Sequence, residues 1–100
     1  MEILQEKTGS KLVMKLIGNL NTVTAEQLEE ALKNALDGVT ELIFDFEKLQ
    51  YLTSAGIRVL TSTCVTMNEK GSMKIINVKK NEVIYEVFRV TNLIEALNVE

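Results

Sequence analysis

Residues 41–46 read Glu-Leu-Ile-Phe-Asp-Phe, and the unbroken Leu42-Ile43-Phe44 leaves no polar face for water. A strand of this kind is buried on both sides, as the central strands of α/β sheets are. From Ser54 the period changes. Gly56, Leu60, Thr63 or Cys64, and Met67 share one helical face, and Lys70-Gly71 supplies a basic last turn followed by a glycine stop. Residues 73–78 (Met-Lys-Ile-Ile-Asn-Val) then read as a second strand. Strand, helix and strand at this spacing make a βαβ unit with parallel strands and a right-handed crossover, which commits the chain to an α/β fold.

The flanking segments fit around that unit. Residues 2–6 and 11–17 are short apolar-rich runs joined by Lys7-Thr8-Gly9-Ser10, the pattern of a hairpin. Thr24 with Gln27 three residues on has the spacing of a capping box, and Ala25, Leu28, Leu32 and Ala35 follow as a helical stripe that closes near Gly38. Asn81 caps a helix over residues 82–90 with Val83, Ile84, Val87 and Phe88 turned inward, and Asn92 with Glu95 repeats the cap spacing ahead of a last short helical turn. The expected order is β-β-α-β-α-β-α in one domain over residues 1–100, because a chain of 100 residues holds a single core. The sheet is expected to be mixed and mostly parallel, with an N-terminal hairpin and flanking helices.

Composition narrows the function. Eleven Lys and Arg against fourteen Asp and Glu give a net charge of −3, with the basic residues scattered, so there is no footprint for a nucleic-acid backbone. No run approaches the roughly 20 apolar residues of a membrane helix, and residues 1–7 lack the pattern of a signal peptide, which implies a cytoplasmic protein without membrane insertion. The chain has no histidine and one cysteine, Cys64. Without histidine, neither a Ser-His nor a Cys-His nucleophile can be assembled, and there is no cysteine cluster for zinc, so neither enzyme activity nor a bound cofactor or metal is expected. Cys64, on the inner side of its helix, reads as a small buried hydrophobe.

Ser54 is the residue this leaves to explain. It stands in Leu52-Thr53-Ser54-Ala55-Gly56, which is not the Gly-x-Ser-x-Gly of a nucleophile elbow, and hydrolase chemistry there would want a base that the chain does not contain. A serine at this place can act as a plain helix N-cap. It can also take a phosphate, which the unpaired N–H groups and positive dipole end of a helix start accommodate while the surface gains about −1.5 to −2 charges. Arg58 should point outward beside it, because Gly56 and Leu60 define the inward face.

Three blocks, GNLNTVTAEQLEEAL, LIFDFEKLQYLTSAGIRVL and KIINVKKNEVIYEVFRVTNLIEAL, resemble in sequence and order the STAS domain of bacterial anti-sigma-factor antagonists, over nearly the whole chain. The resemblance implies a mixed sheet with helices and a switch worked by serine phosphorylation. In the family the modified serine lies two residues before the loop glycine, the place of Ser54 relative to Gly56. It further implies that the unmodified form binds an anti-sigma factor that is itself a serine kinase, so that a sigma factor is released, and that a serine phosphatase resets the switch; nucleotide and magnesium would belong to the kinase. Asn21, Thr22, Thr53, Gly56 and Arg58 are then expected to line the partner face. Thr53 and Asn21 stand where family members often carry aspartate. Small STAS domains also resemble accessory subunits that bind the ATPase of lipid-transporting ABC complexes, which is the alternative.

Overall fold

The computed structural model describes residues 1–100 and contains the order β1 (Glu2–Thr8), β2 (Lys11–Leu20), α1 (Thr22–Ala35), β3 (Glu41–Asp45), β4 (Leu49–Leu52), α2 (Ser54–Lys70), β5 (Ser72–Ile76) and α3 (Glu82–Val90). β1 and β2 form the expected hairpin, antiparallel from Glu2↔Ile17 to Thr8↔Lys11. β3 lies between β2 and β5 and is parallel to both, with Phe44 opposite Met14 on one side and Ile75 on the other. The βαβ unit therefore forms as its hydrophobic pattern requires.

One strand lies outside the expected order. Leu49–Leu52 runs parallel to the second half of β2, pairing Gly18 with Leu49 and Leu20 with Leu52, so β2 serves β3 with its first half and β4 with its second. The changeover sits at Gly18, whose φ of +114° is a conformation that side chains resist, and the register slips by one residue between Gly18 and Asn19. This is what carries β2 to Leu20, three residues past the expected end, and brings the two strand ends Leu20 and Leu52 side by side.

Alternate residues of the strands (Leu12, Met14, Leu16; Leu42, Phe44; Met73, Ile75) join Leu28, Leu32, Leu60, Met67, Ile84 and Phe88 in one contiguous core. Phe46 links its halves, 5.9 Å from Phe44 and stacked on Phe88 at 6.3 Å between ring centres. Ile43 is buried yet stands outside this core, between its register partners Val13 and Lys74 on the opposite face. The triplet Leu42-Ile43-Phe44 is buried on both faces as its sequence demands, although the core with the helices lies on one of them.

Asn81 has a double role. Its Oδ1 accepts from the Ile84 N–H as the N-cap of α3, while its Nδ2 donates to the carbonyls of Phe46 and Leu49 at 3.1 and 2.6 Å, tying the turn between β3 and β4 to the helix. Asn81→Ala removes the cap and takes a donor from two carbonyls, of which that of Phe46 keeps the Leu49 N–H at 3.1 Å, so it is expected to cost about 1–3 kcal/mol in urea unfolding. A loss under about 0.5 kcal/mol would show that the turn is held by other contacts.

Two expected details of the C-terminal region change. In α3 only Ile84 and Phe88 are buried, Val87 is half-buried, and Val83 is exposed, because a helix packed on one layer buries a narrower stripe. The last segment is a run of turns, not a helix started by Asn92. Asn92 takes φ +60°, which a capping residue does not, and Val99 ends in a parallel bridge to Ile75 at the sheet edge.

Candidate functional site

The carboxyl ends of β2 and β4 lie next to each other, and each leads directly into a helix. The Thr53 N–H donates to the Leu20 carbonyl at 3.0 Å and its Oγ1 to the same oxygen at 3.3 Å, so the residue before Ser54 is fastened to the residue before Asn21. The two loops expected to meet do meet, through one shared carbonyl.

On the β2 side, α1 starts at Thr22 and its N-cap is Asn21, three residues earlier than the expected cap Thr24. Asn21 Oδ1 accepts from the N–H groups of Val23 and Thr24 at 3.1 Å each, and Thr24 Oγ1 accepts from the Asn21 N–H at 2.8 Å while donating to the Asn19 carbonyl at 2.6 Å. The capping box is Asn21 with Thr24. Asparagine and aspartate cap comparably, so the asparagine here preserves the helix start while withholding a negative charge.

On the β4 side, the N-cap of α2 is Thr53, whose side chain makes no capping bond because it is turned to Leu20. Ser54 is the first residue of the helix and is exposed, and its hydroxyl makes no hydrogen bond within the chain. Ser54 stands at a helix start as expected, but the plain-cap alternative does not hold: the position one residue earlier is the cap, and the serine hydroxyl is free.

Gly56 explains how α2 comes so close to the strand ends. A Cβ built there would sit 2.6 Å from Leu20 Cγ and 2.9 Å from Leu52 Cδ1, so the helix start rests on the two residues that end β2 and β4. Gly56, expected on the partner face, is buried and lets the helix approach the strand ends. Gly56→Ala should push α2 off Leu20 and Leu52 and lower stability by about 1–3 kcal/mol, read by thermal or urea unfolding. Unchanged stability would mean that Leu20 repacks without moving the helix.

Thr22, Ala25 and Glu26 of α1 face Ala55 and Arg58 of α2 across a cavity of about 270 Å³. Asn21, Thr22, Thr53, Ser54 and Arg58 thus stand together around the two helix starts. Two exposed apolar residues flank them that the sequence did not single out as a pair: Val23, 77% exposed in the first turn of α1, and Tyr51, 55% exposed on β4 and paired in register with Asn19. The available signal for Val23 was its position off the α1 stripe. Cys64 is buried, its thiol 3.6 Å from the Ala96 carbonyl, in keeping with a packing role.

Comparison with known proteins bears on this arrangement. The family model for the STAS domain matches residues 2–100. The chain is 28% identical over 101 residues to BtrV of Bordetella bronchiseptica, which is named a putative anti-sigma factor antagonist, covering 99% of this chain and 85% of that one. Among solved structures it resembles an anti-sigma factor antagonist from Mycobacterium paratuberculosis (TM-score 0.86, 20% identity, 98% of this chain and 83% of that chain). It also resembles the Bacillus cell fate determinant SpoIIAA in its phosphorylated form (TM-score 0.73, 23% identity, 92% and 85%).

Proposed function

Since the chain belongs to the STAS domain family, we propose that it is a non-enzymatic anti-sigma-factor antagonist controlled by phosphorylation of Ser54. The observation that carries this is the free, exposed hydroxyl at the first position of α2, set among Asn21, Thr22, Thr53 and Arg58. Unmodified, this surface binds an anti-sigma factor that is also a serine kinase, and the sigma factor is released. Phosphorylated, it lets go until a serine phosphatase removes the phosphate.

The physical argument is local. The N–H groups at the start of α2 have no acceptor within the helix, and the positive end of its dipole lies there, so a phosphate on Ser54 is tolerated without unfolding. What changes is a small neutral spot that gains about −1.5 to −2 charges, which a docked partner would have to desolvate or oppose. Thr53 is a poor competitor as acceptor, its hydroxyl already donated to Leu20 and half-buried. That SpoIIAA has a phosphorylated form and that BtrV is named a putative antagonist support this reading. No helix is long and apolar enough to cross a membrane, in keeping with an exchange among partners in the cytoplasm.

The test is to incubate the protein with its anti-sigma kinase and ATP and to map the phosphate by mass spectrometry. One phosphate on Ser54, absent from Ser54→Ala, is expected; label on another residue with Ser54 unmodified would reject the assignment. Capture of a transporter ATPase from lysate, without a kinase or a sigma regulator, would favour the accessory-subunit alternative.

A further inference from the structure

Arg58 lies one helical turn beyond Ser54 on α2, and residues at this spacing have Cβ atoms about 5–6 Å apart on the same face. It is exposed and forms no ion pair; the single ion pair in the chain joins Arg89 to Glu86 on α3. Across the cavity it shares with α1 are the carboxylates of Glu26 and Glu29, neither within ion-pair distance. A cation with two distant acids on one side and a serine hydroxyl one turn away on the other has no fixed partner until that hydroxyl changes.

We infer that Arg58 is the intramolecular counterion of phosphorylated Ser54, turning from the α1 side of the cavity onto the phosphate when it forms. This role rests on Ser54 being the acceptor. The guanidinium presents a planar fork of donors that matches phosphate oxygens two at a time, and a dianion outcompetes two carboxylates held beyond contact. Phosphorylation then alters the partner surface at two places: it adds the phosphate and it withdraws the cation from the cavity that Glu26 and Glu29 also line, leaving that cavity more negative. Arg58 acts as a positioning residue; it holds the phosphate against α2 and does not take part in its transfer.

The experiment uses phosphoserine installed at position 54 by genetic encoding, so that no kinase is needed and failure of the acceptor assignment cannot be confused with failure of this one. Phosphorus NMR follows the second ionisation of the phosphate against pH in the parent, in Arg58→Gln and in Arg58→Lys. The charged groups of the cavity beside the start of α2 are Arg58 on the same helix as the phosphate and Glu26 and Glu29 on α1; these glutamates and the start of α2 act on the ionisation in all three proteins alike, so the difference among them isolates Arg58. The parent is expected to ionise below the ordinary value near 6, with Arg58→Gln higher by roughly half a unit and Arg58→Lys in between. Superimposable curves for the parent and Arg58→Gln, with both proteins folded by circular dichroism, would overturn the inference.

Discussion

Phosphoserine at position 54 is expected to weaken binding of the anti-sigma partner at least a hundredfold relative to the unmodified chain, while Ser54→Ala binds within a few-fold of it. A hundredfold is about 2.7 kcal/mol, which one buried and uncompensated charge near the centre of an interface of about 800 Å² per side can readily supply. The size follows from where the hydroxyl stands. It is exposed, it makes no hydrogen bond that the fold depends on, and its chain neighbours Thr53, Ala55 and Gly56 are small and uncharged. Ser54→Asp should fall between the two, because a carboxylate carries less charge and fewer acceptor oxygens than a phosphate. Calorimetric titration of the four proteins into the purified anti-sigma factor checks the order; equal affinity of the modified and unmodified chains would contradict it.

The second large effect concerns the core. Phe46→Ala is expected to cost about 3–5 kcal/mol, a large share of the roughly 5–15 kcal/mol that stabilises a domain of this kind. Phe46 is fully buried, touches Phe44 in the central sheet and stacks on Phe88 of α3. Its removal opens a cavity at the one aromatic that joins the sheet to that helix. Phe46 also precedes the turn held by Asn81, whose donors reach the Phe46 and Leu49 carbonyls, so the lost packing and the held turn lie on the same short segment. Urea unfolding measures the loss directly, and a cost near 1 kcal/mol would mean that Phe44 and Phe88 close over the space.

The parts of this fold that could be read from sequence are those in which burial writes a simple period. Leu42-Ile43-Phe44 marked the central strand, and the spacing of Gly56, Leu60 and Met67 marked the inner face of α2; all are buried as expected. β4 was not legible because it is four residues long and buries only its ends, Leu49 and Leu52, around exposed Gln50 and Tyr51. That spacing of three is neither a strand's alternation nor long enough to suggest a helix. The start of α1 was ambiguous for another reason. Two cap signals overlap, Asn21 with Thr24 and Thr24 with Gln27, and the earlier one forms because Thr24 can also donate to the Asn19 carbonyl.

At the site, two details differ from what the residue types offer. Ser54 was a candidate cap, and the cap is Thr53; nothing in the residue types distinguishes them, since the choice depends on Leu20 accepting both the Thr53 N–H and its hydroxyl. Gly56 was grouped with the partner-facing residues, and it is buried against Leu20 and Leu52. Both differences come from the pairing of β2 with β4, which places Leu20 beneath the start of α2 and which a reading without β4 does not contain. The Thr53 found where family members often carry aspartate thereby acquires a structural use.

The most direct measurement is a reconstituted exchange among the sigma factor, its anti-sigma kinase and this protein, with release of labelled sigma factor followed by fluorescence anisotropy. Before ATP is added, the wild-type chain and Ser54→Ala should both free the sigma factor. After ATP, the wild-type chain should surrender the kinase so that the sigma factor is recaptured, while Ser54→Ala keeps it free. Recapture with Ser54→Ala at the wild-type rate would contradict control through this hydroxyl.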